Sequence, residues 1–268
     1  MNVAREYAEE IRENRDICFE GLIFSPLTVR HFALYQSARM AMELMQASLP
    51  IRLARMGWIS CLEEMDRESA ENNVVPTLYA SILGLLNAAL KLDAVRNLQR
   101  LQEIRDQGGK LSALLIRQEQ NNPVILNKKM LDDVRKILAA QNGYEIPDES
   151  WNPELVKAQQ YLREQQTRGV GNGSLEEAVY ALAAATGREP EEIWSWPIRK
   201  YTGMQSAVQR KMMFQICTAL EMSGRVKFKR GNPYPTWTHT QESSLPTGFV
   251  SLQELDDGAK GLLSAPNE

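Results

Sequence analysis

Apolar residues recur along most of this chain at helical spacing, and at two places they alternate instead. The first alternation, ICFEGLIF over 17–24, is interrupted by Glu20-Gly21 and predicts a short β-hairpin. The sixteen residues before it are rich in charge and predict a frayed helix or arm. Ser25-Pro26 stops the hairpin, and Thr28 stands where it would cap a helix over 29–47 with Phe32, Tyr35, Met42 and Met45 among its apolar positions. Ser48-Leu49-Pro50 breaks that helix and opens another over 51–68, carrying Leu53, Met56, Ile59, Leu62 and Met65. Asn72-Asn73 reads as a loop. Pro76 then begins a third helix over 77–92, apolar nearly all round and therefore central.

After Asp93 the periodicity weakens. A turn at Gly108-Gly109, the run LSALLIR over 111–117, and VIL after Asn121-Asn122-Pro123 predict a second hairpin. Asn127 caps a helix over 128–141 that Asn142-Gly143 ends. A Pro- and acid-containing loop covers 144–152, and Pro153 opens a polar helix to 167. Three glycines within 169–173 predict a linker and a domain boundary. Beyond it, Ser174 and Glu177 form a capping box for a helix that Gly187 ends. A short helix over 190–194 meets a Trp-Ser-Trp-Pro corner, and Pro197 leads into a long helix to Ser223 with Gly224 as its stop. The fold class is mainly α: an N-terminal helical domain (1–168) with one or two small β-hairpins, one of them inserted, then the linker (169–173). A C-terminal helical subdomain (174–240) and an acidic, largely irregular tail (241–268) with one short helix over 252–256 complete it.

Composition narrows the function classes. The 268 residues are 43% hydrophobic and 24% charged, which suits a packed globular chain. A formal net charge of −3 speaks against a dedicated nucleic-acid binder. The charge is uneven, however: eight Lys or Arg face one acid, Glu221, over 198–230, and five acids face one Lys from Gln241 onward. Cys18, Cys61 and Cys217 are odd in number, far apart and in apolar settings, which predicts reduced core thiols in a cytoplasmic protein. The charged start has no apolar segment of a signal peptide, and no apolar run reaches the roughly 20 residues that span a bilayer.

Catalytic constellations do not emerge. His31 and His239 have no partner nearby in sequence. The carboxylate pairs Glu63-Glu64, Asp132-Asp133, Glu176-Glu177 and Glu191-Glu192 mostly fall near predicted helix starts, where the dipole favours negative charge. GVGNGS follows a polar helix instead of a strand, so it reads as a linker and not as a dinucleotide loop. No cofactor, no metal ligand and no enzymatic activity is expected. Two binding signals stand out. Methionines cluster in the first two long helices and line the last, which suits a groove for apolar helices; Met42, Met45, Met56, Trp58, Trp194, Trp196 and Met213 are the candidate protein contacts. Arg225, Lys227, Lys229 and Arg230, with Trp237 beyond, form a basic strip over 225–230 whose aromatic neighbours suit nucleic acid as an alternative partner.

The pattern Thr186-Gly187, Pro190-Glu191-Glu192-Ile193, Trp196-Pro197 between two helices, together with FSPLTVRHFALYQ and GRVKFKRGNPYPTW, resembles bacteriophage and prophage tail-module proteins of the tail-assembly-chaperone class. That resemblance implies a cytoplasmic, non-enzymatic role in tail morphogenesis, with the tape-measure protein or tail-tube subunits as partners. A structural tail or baseplate component, retained in the virion, is the neighbouring possibility.

Overall fold

The computed structural model describes residues 6–72, 75, 77–92, 101–117, 122–144, 146, 173–224, 228 and 232–238. It is a mainly helical chain with two small antiparallel sheets, as the periodicity predicts. The chain divides into two compact units, Met1–Ser206 and Ala207–Glu268. The division falls inside the last helix; residues 169–172 of the glycine linker, the polar helix over 153–167 and the helix over 252–256 lie outside the described residues.

In the first unit α1 (Ala8–Glu13) leads to β1 (Ile17–Phe19) and β2 (Leu22–Phe24), paired Ile17↔Phe24 and Phe19↔Leu22. Glu20 and Gly21 both take positive φ (51° and 76°), the turn whose twist matches a two-residue hairpin. Alternation then sorts the side chains: Ile17, Phe19, Leu22 and Phe24 are buried, while Cys18 and Ile23 face outward. Cys18 is therefore an exposed thiol and not a core residue; Cys61 and Cys217 are buried.

The helix expected over 29–47 is shorter. A 3₁₀ turn (Val29–His31) precedes α2 (Phe32–Met42), and a second 3₁₀ turn covers Gln46–Ser48. Thr28 makes no side-chain cap; its hydroxyl lies 3.1 Å from Nδ1 of His31. The helix expected over 51–68 is likewise two pieces, α3 (Ile51–Ala54) and α4 (Trp58–Glu71), separated at Gly57. A Cβ at Gly57 would stand 3.1 Å from Cγ of Lys128, so the break admits a neighbouring helix.

Helix α5 (Leu78–Ala89) has no N-cap side chain of its own. The carboxylate of Asp66 on α4 supplies one, accepting from the Leu78 and Tyr79 amides at 3.1 and 2.8 Å. Negative charge against these otherwise unpaired donors is favourable there. Ile82, Leu85, Leu86 and Ala89 are buried, and α2 packs along this helix where Gly84 leaves room for Leu34.

The second sheet has three strands, in the order β3 (Leu101–Arg105), β4 (Leu111–Ile116), β5 (Val124–Asn127). The hairpin predicted around 111–126 is thus its β4–β5 half, and β3 is the strand that periodicity did not reveal. Asn127 accepts from the Met130 amide at 3.1 Å and starts α6 (Lys128–Asn142), which Gly143 ends in the left-handed conformation. Leu131, Val134, Ile137 and Leu138 of α6 join Leu114, Ile116 and Leu126 of the sheet in one core with Trp58, Ile59 and Leu62 of α4.

Helix α7 (Leu175–Thr186) begins with the predicted capping box, in which Ser174 Oγ accepts from the Glu177 amide and Glu177 Oε2 from the Ser174 amide. α8 (Pro190–Trp194) follows, and then α9 (Ile198–Met222). The corner between α8 and α9 is clasped to the N-terminal segment. The Val29 amide donates to the Trp196 carbonyl at 2.9 Å, and the Ile198 amide to the Leu27 carbonyl at 2.8 Å. Thr28 and Pro197 face each other between those bonds, at a position where the missing N–H of proline breaks nothing. From α6, Asn142 Oδ1 accepts from the Leu27 amide at 2.8 Å and completes the clasp.

Candidate partner-binding face

Most of the apolar residues expected to meet a partner serve the interior instead. Met42 and Trp58 are almost fully buried, and Met45 and Trp196 nearly so. The Trp58 indole donates to the Ala41 carbonyl at 2.9 Å, with the Arg135 guanidinium 5.2 Å from the centre of its ring. Trp196 donates to Glu192 Oε1 at 3.4 Å and lies under the Lys200 ammonium, 4.2 Å away. These four side chains lie in the interior, where they hold elements together. Met56, Trp194 and Met213 are half-buried.

Arg225, Lys227, Lys229 and Arg230 lie outside the described residues. Trp237 is described and 41% exposed, and the Lys211 ammonium sits 5.9 Å from the centre of its ring. Near it, Asn232 Nδ2 donates to Glu221 Oε2 at 3.1 Å.

Most of the paired carboxylates meet a cation or a hydroxyl. Glu63 pairs with Arg105, Glu64 with Arg52 and Arg67, and Asp133 with Lys136. Glu176 accepts from the Tyr180 hydroxyl, and Glu192 pairs with Arg188. Burial pushes the Asp132 carboxyl above the usual range, against the opposing pull of the Trp58 backbone amide. Tyr79 is raised more strongly, by burial and by its hydrogen bond to Glu103. Among the described residues no group of three His, Cys, Asp or Glu could hold a metal ion, and no helix is long and apolar enough to cross a membrane.

One apolar face at the surface lies on α9 within the second unit. Met212, Ile216 and Leu220 are 57%, 51% and 40% exposed. Their spacing of four residues stacks them along one side of the helix. At about 100° per residue, Val208, Gln209 and Ala219 fall in the same sector. Arg210, Lys211 and Glu221 fall more than about 100° from its centre. The face is therefore mostly apolar, with Gln209 among its residues, and carries no charge within the sector.

Sequence periodicity signalled this helix through its methionines but chose Met213, which is half-buried, over its exposed neighbour Met212. Ile216 and Leu220 carry the face equally and were missed, because their type is that of any core residue. The four-residue spacing of 212, 216 and 220 was the available signal. No protein-family model, no curated protein and no solved structure matches this chain.

Proposed function

We propose that the chain is a non-enzymatic phage or prophage tail-morphogenesis protein of the tail-assembly-chaperone kind, acting in the cytoplasm of the host. It binds an apolar helix of the tape-measure protein or of a tail-tube subunit and keeps that helix from aggregating until assembly. The single observation that supports this reading is the uncharged stripe of Met212, Ile216 and Leu220 on a long helix, a surface suited to a second helix. Thioether and aliphatic side chains without charged borders accept varied apolar partners, which a protein shielding a long helical substrate requires.

Co-expression with the tape-measure protein encoded nearest the gene tests it. The wild-type chain keeps that protein soluble and co-purifies with it, whereas Ile216→Glu does neither. Equal solubility of the tape-measure protein with and without the chain would refute the reading.

A second reading draws on Trp237, exposed beside Lys211. A nucleic-acid interface there gives affinity for a random single-stranded oligonucleotide that falls steeply with salt and drops with Trp237→Ala. Salt-insensitive or absent binding removes it.

A further inference from the structure

We infer that α9 carries a hinge at Gly203, between its anchored first turn and the part that bears Met212, Ile216 and Leu220. The device belongs to the helix itself and goes beyond the proposed function, since it holds whichever partner the exposed face receives.

Gly203 stands inside the 25-residue helix without a packing reason. Every other described glycine either takes positive φ or has an atom within 3.3 Å of where its Cβ would stand. Gly203 has neither property, and nothing lies within 4 Å of that point. Glycine weakens a helix interior relative to alanine, because its backbone has more freedom to lose. The residue therefore lowers the stability of α9 without serving a contact or a turn.

Its neighbours weaken the same stretch. The Thr202 hydroxyl donates back to the Arg199 carbonyl at 3.2 Å, a bond of the kind that bends helices. Ser206 follows three residues after the glycine, and glycine with serine is one of the few pairings at which helices kink sharply.

Burial changes across this stretch as well. Before it, Ile198 and Tyr201 are buried, and the Tyr201 ring meets Phe32 edge-on with 6.0 Å between centres. The Ile198 amide is held by the Leu27 carbonyl. Gly203, Met204, Gln205 and Ser206 are all exposed, and the next buried residue of the helix is Cys217. The boundary between the two compact units falls after Ser206. The first turn is thus fixed by the core and the clasp, whereas the helix continues past Gly203 with little side-chain packing beside it. Exposed backbone bonds with few packed neighbours open first. A bend there lets the rest of α9 turn while the clasp at Trp196 and Pro197 stays closed.

Hydrogen exchange of the full chain tests the opening. In the wild type the amides of residues 204–207 are protected at least about tenfold less than those of residues 211–215. Gly203→Ala, whose added methyl meets no atom, raises protection at 204–207 about fivefold. Bending is read separately, from nitroxide labels at Lys200→Cys and Gln215→Cys in a Cys18→Ser background, which leaves only the buried Cys61 and Cys217. A straight helix holds these two positions about 22 Å apart along its axis. The wild type gives a broad distribution that extends to shorter distances, and Gly203→Ala narrows it to the straight-helix value. Equal protection on the two sides of Gly203 in the wild type would overturn the proposal. So would a single narrow wild-type distance that Gly203→Ala leaves unchanged.

Discussion

Arg135 closes the end of a helix that is not its own. Its Nε and Nη2 donate to the Met42 carbonyl at 3.0 and 2.7 Å, where α2 stops, and Nη2 also reaches the Leu44 carbonyl at 2.6 Å. The last carbonyls of a helix lack internal partners, and a cation there is favourable against the dipole. A buried guanidinium whose donors meet carbonyls and whose face covers Trp58 is thus a joint between α2, α4 and α6.

Removing that joint exposes its worth. Arg135→Ala leaves buried carbonyls without donors and lowers unfolding stability by about 2–4 kcal/mol. Arg135→Lys recovers only part of this, because one ammonium does not reproduce the planar fork. Urea titration checks both; a loss below about 0.5 kcal/mol for Arg135→Ala would contradict the account.

The clasp at the Trp-Pro corner gives a second expectation. Asn142 is buried, accepts from the Leu27 amide and donates through Nδ2 to the Leu138 carbonyl. Asn142→Ala costs about 1–3 kcal/mol. Hydrogen exchange adds a local readout: the Leu27, Val29 and Ile198 amides lose protection before those of α5. Uniform loss of protection across the first unit would show that the clasp is not a separate local device.

The sign of the pH effect at Asp132 follows from its raised pKa. A carboxyl whose folded pKa exceeds its unfolded value binds its proton more tightly in the native state. Its contribution is fully present below the unfolded value and fades as pH rises through the folded one. The window therefore opens at about pH 3.8, the ordinary value, and extends upward. Stability of the wild type minus that of Asp132→Asn, followed by urea titration, falls with rising pH across this window. A difference that rises with pH there would contradict the burial argument.

How much of this was legible in the sequence depended on whether a signal was local. The hairpin turn at Glu20-Gly21, the Asn127 cap, the Ser174–Glu177 capping box and the glycines ending α6, α7 and α9 depend on a few adjacent residues. The structure places each where the sequence predicted. Strand β3 was not legible, because LQEIR lacks alternation and becomes a strand by pairing with 111–116. The stop of α2 at Met42 and the break at Gly57 were not legible either, since the side chains that meet them, Arg135 and Lys128, lie in a helix distant along the chain.

The candidate site divides along the same line. Methionine content pointed to α9, but no property of a methionine or tryptophan distinguishes a contact residue from a core residue. Burial of Met42, Met45, Trp58 and Trp196 is a tertiary fact. What distinguishes Met212, Ile216 and Leu220 is their exposure, and that depends on which side of the helix the protein leaves open.

Whether the sector of Met212, Ile216 and Leu220 receives a helix is read from a binding isotherm. A fluorescein-labelled apolar helix from the tape-measure protein is titrated with the wild-type chain and with Ile216→Glu. The wild type binds saturably and the variant loses at least about tenfold in affinity, equivalent to about 1.4 kcal/mol, with thermal unfolding unchanged. Equal affinity of the two proteins, or no binding by the wild type, would contradict it.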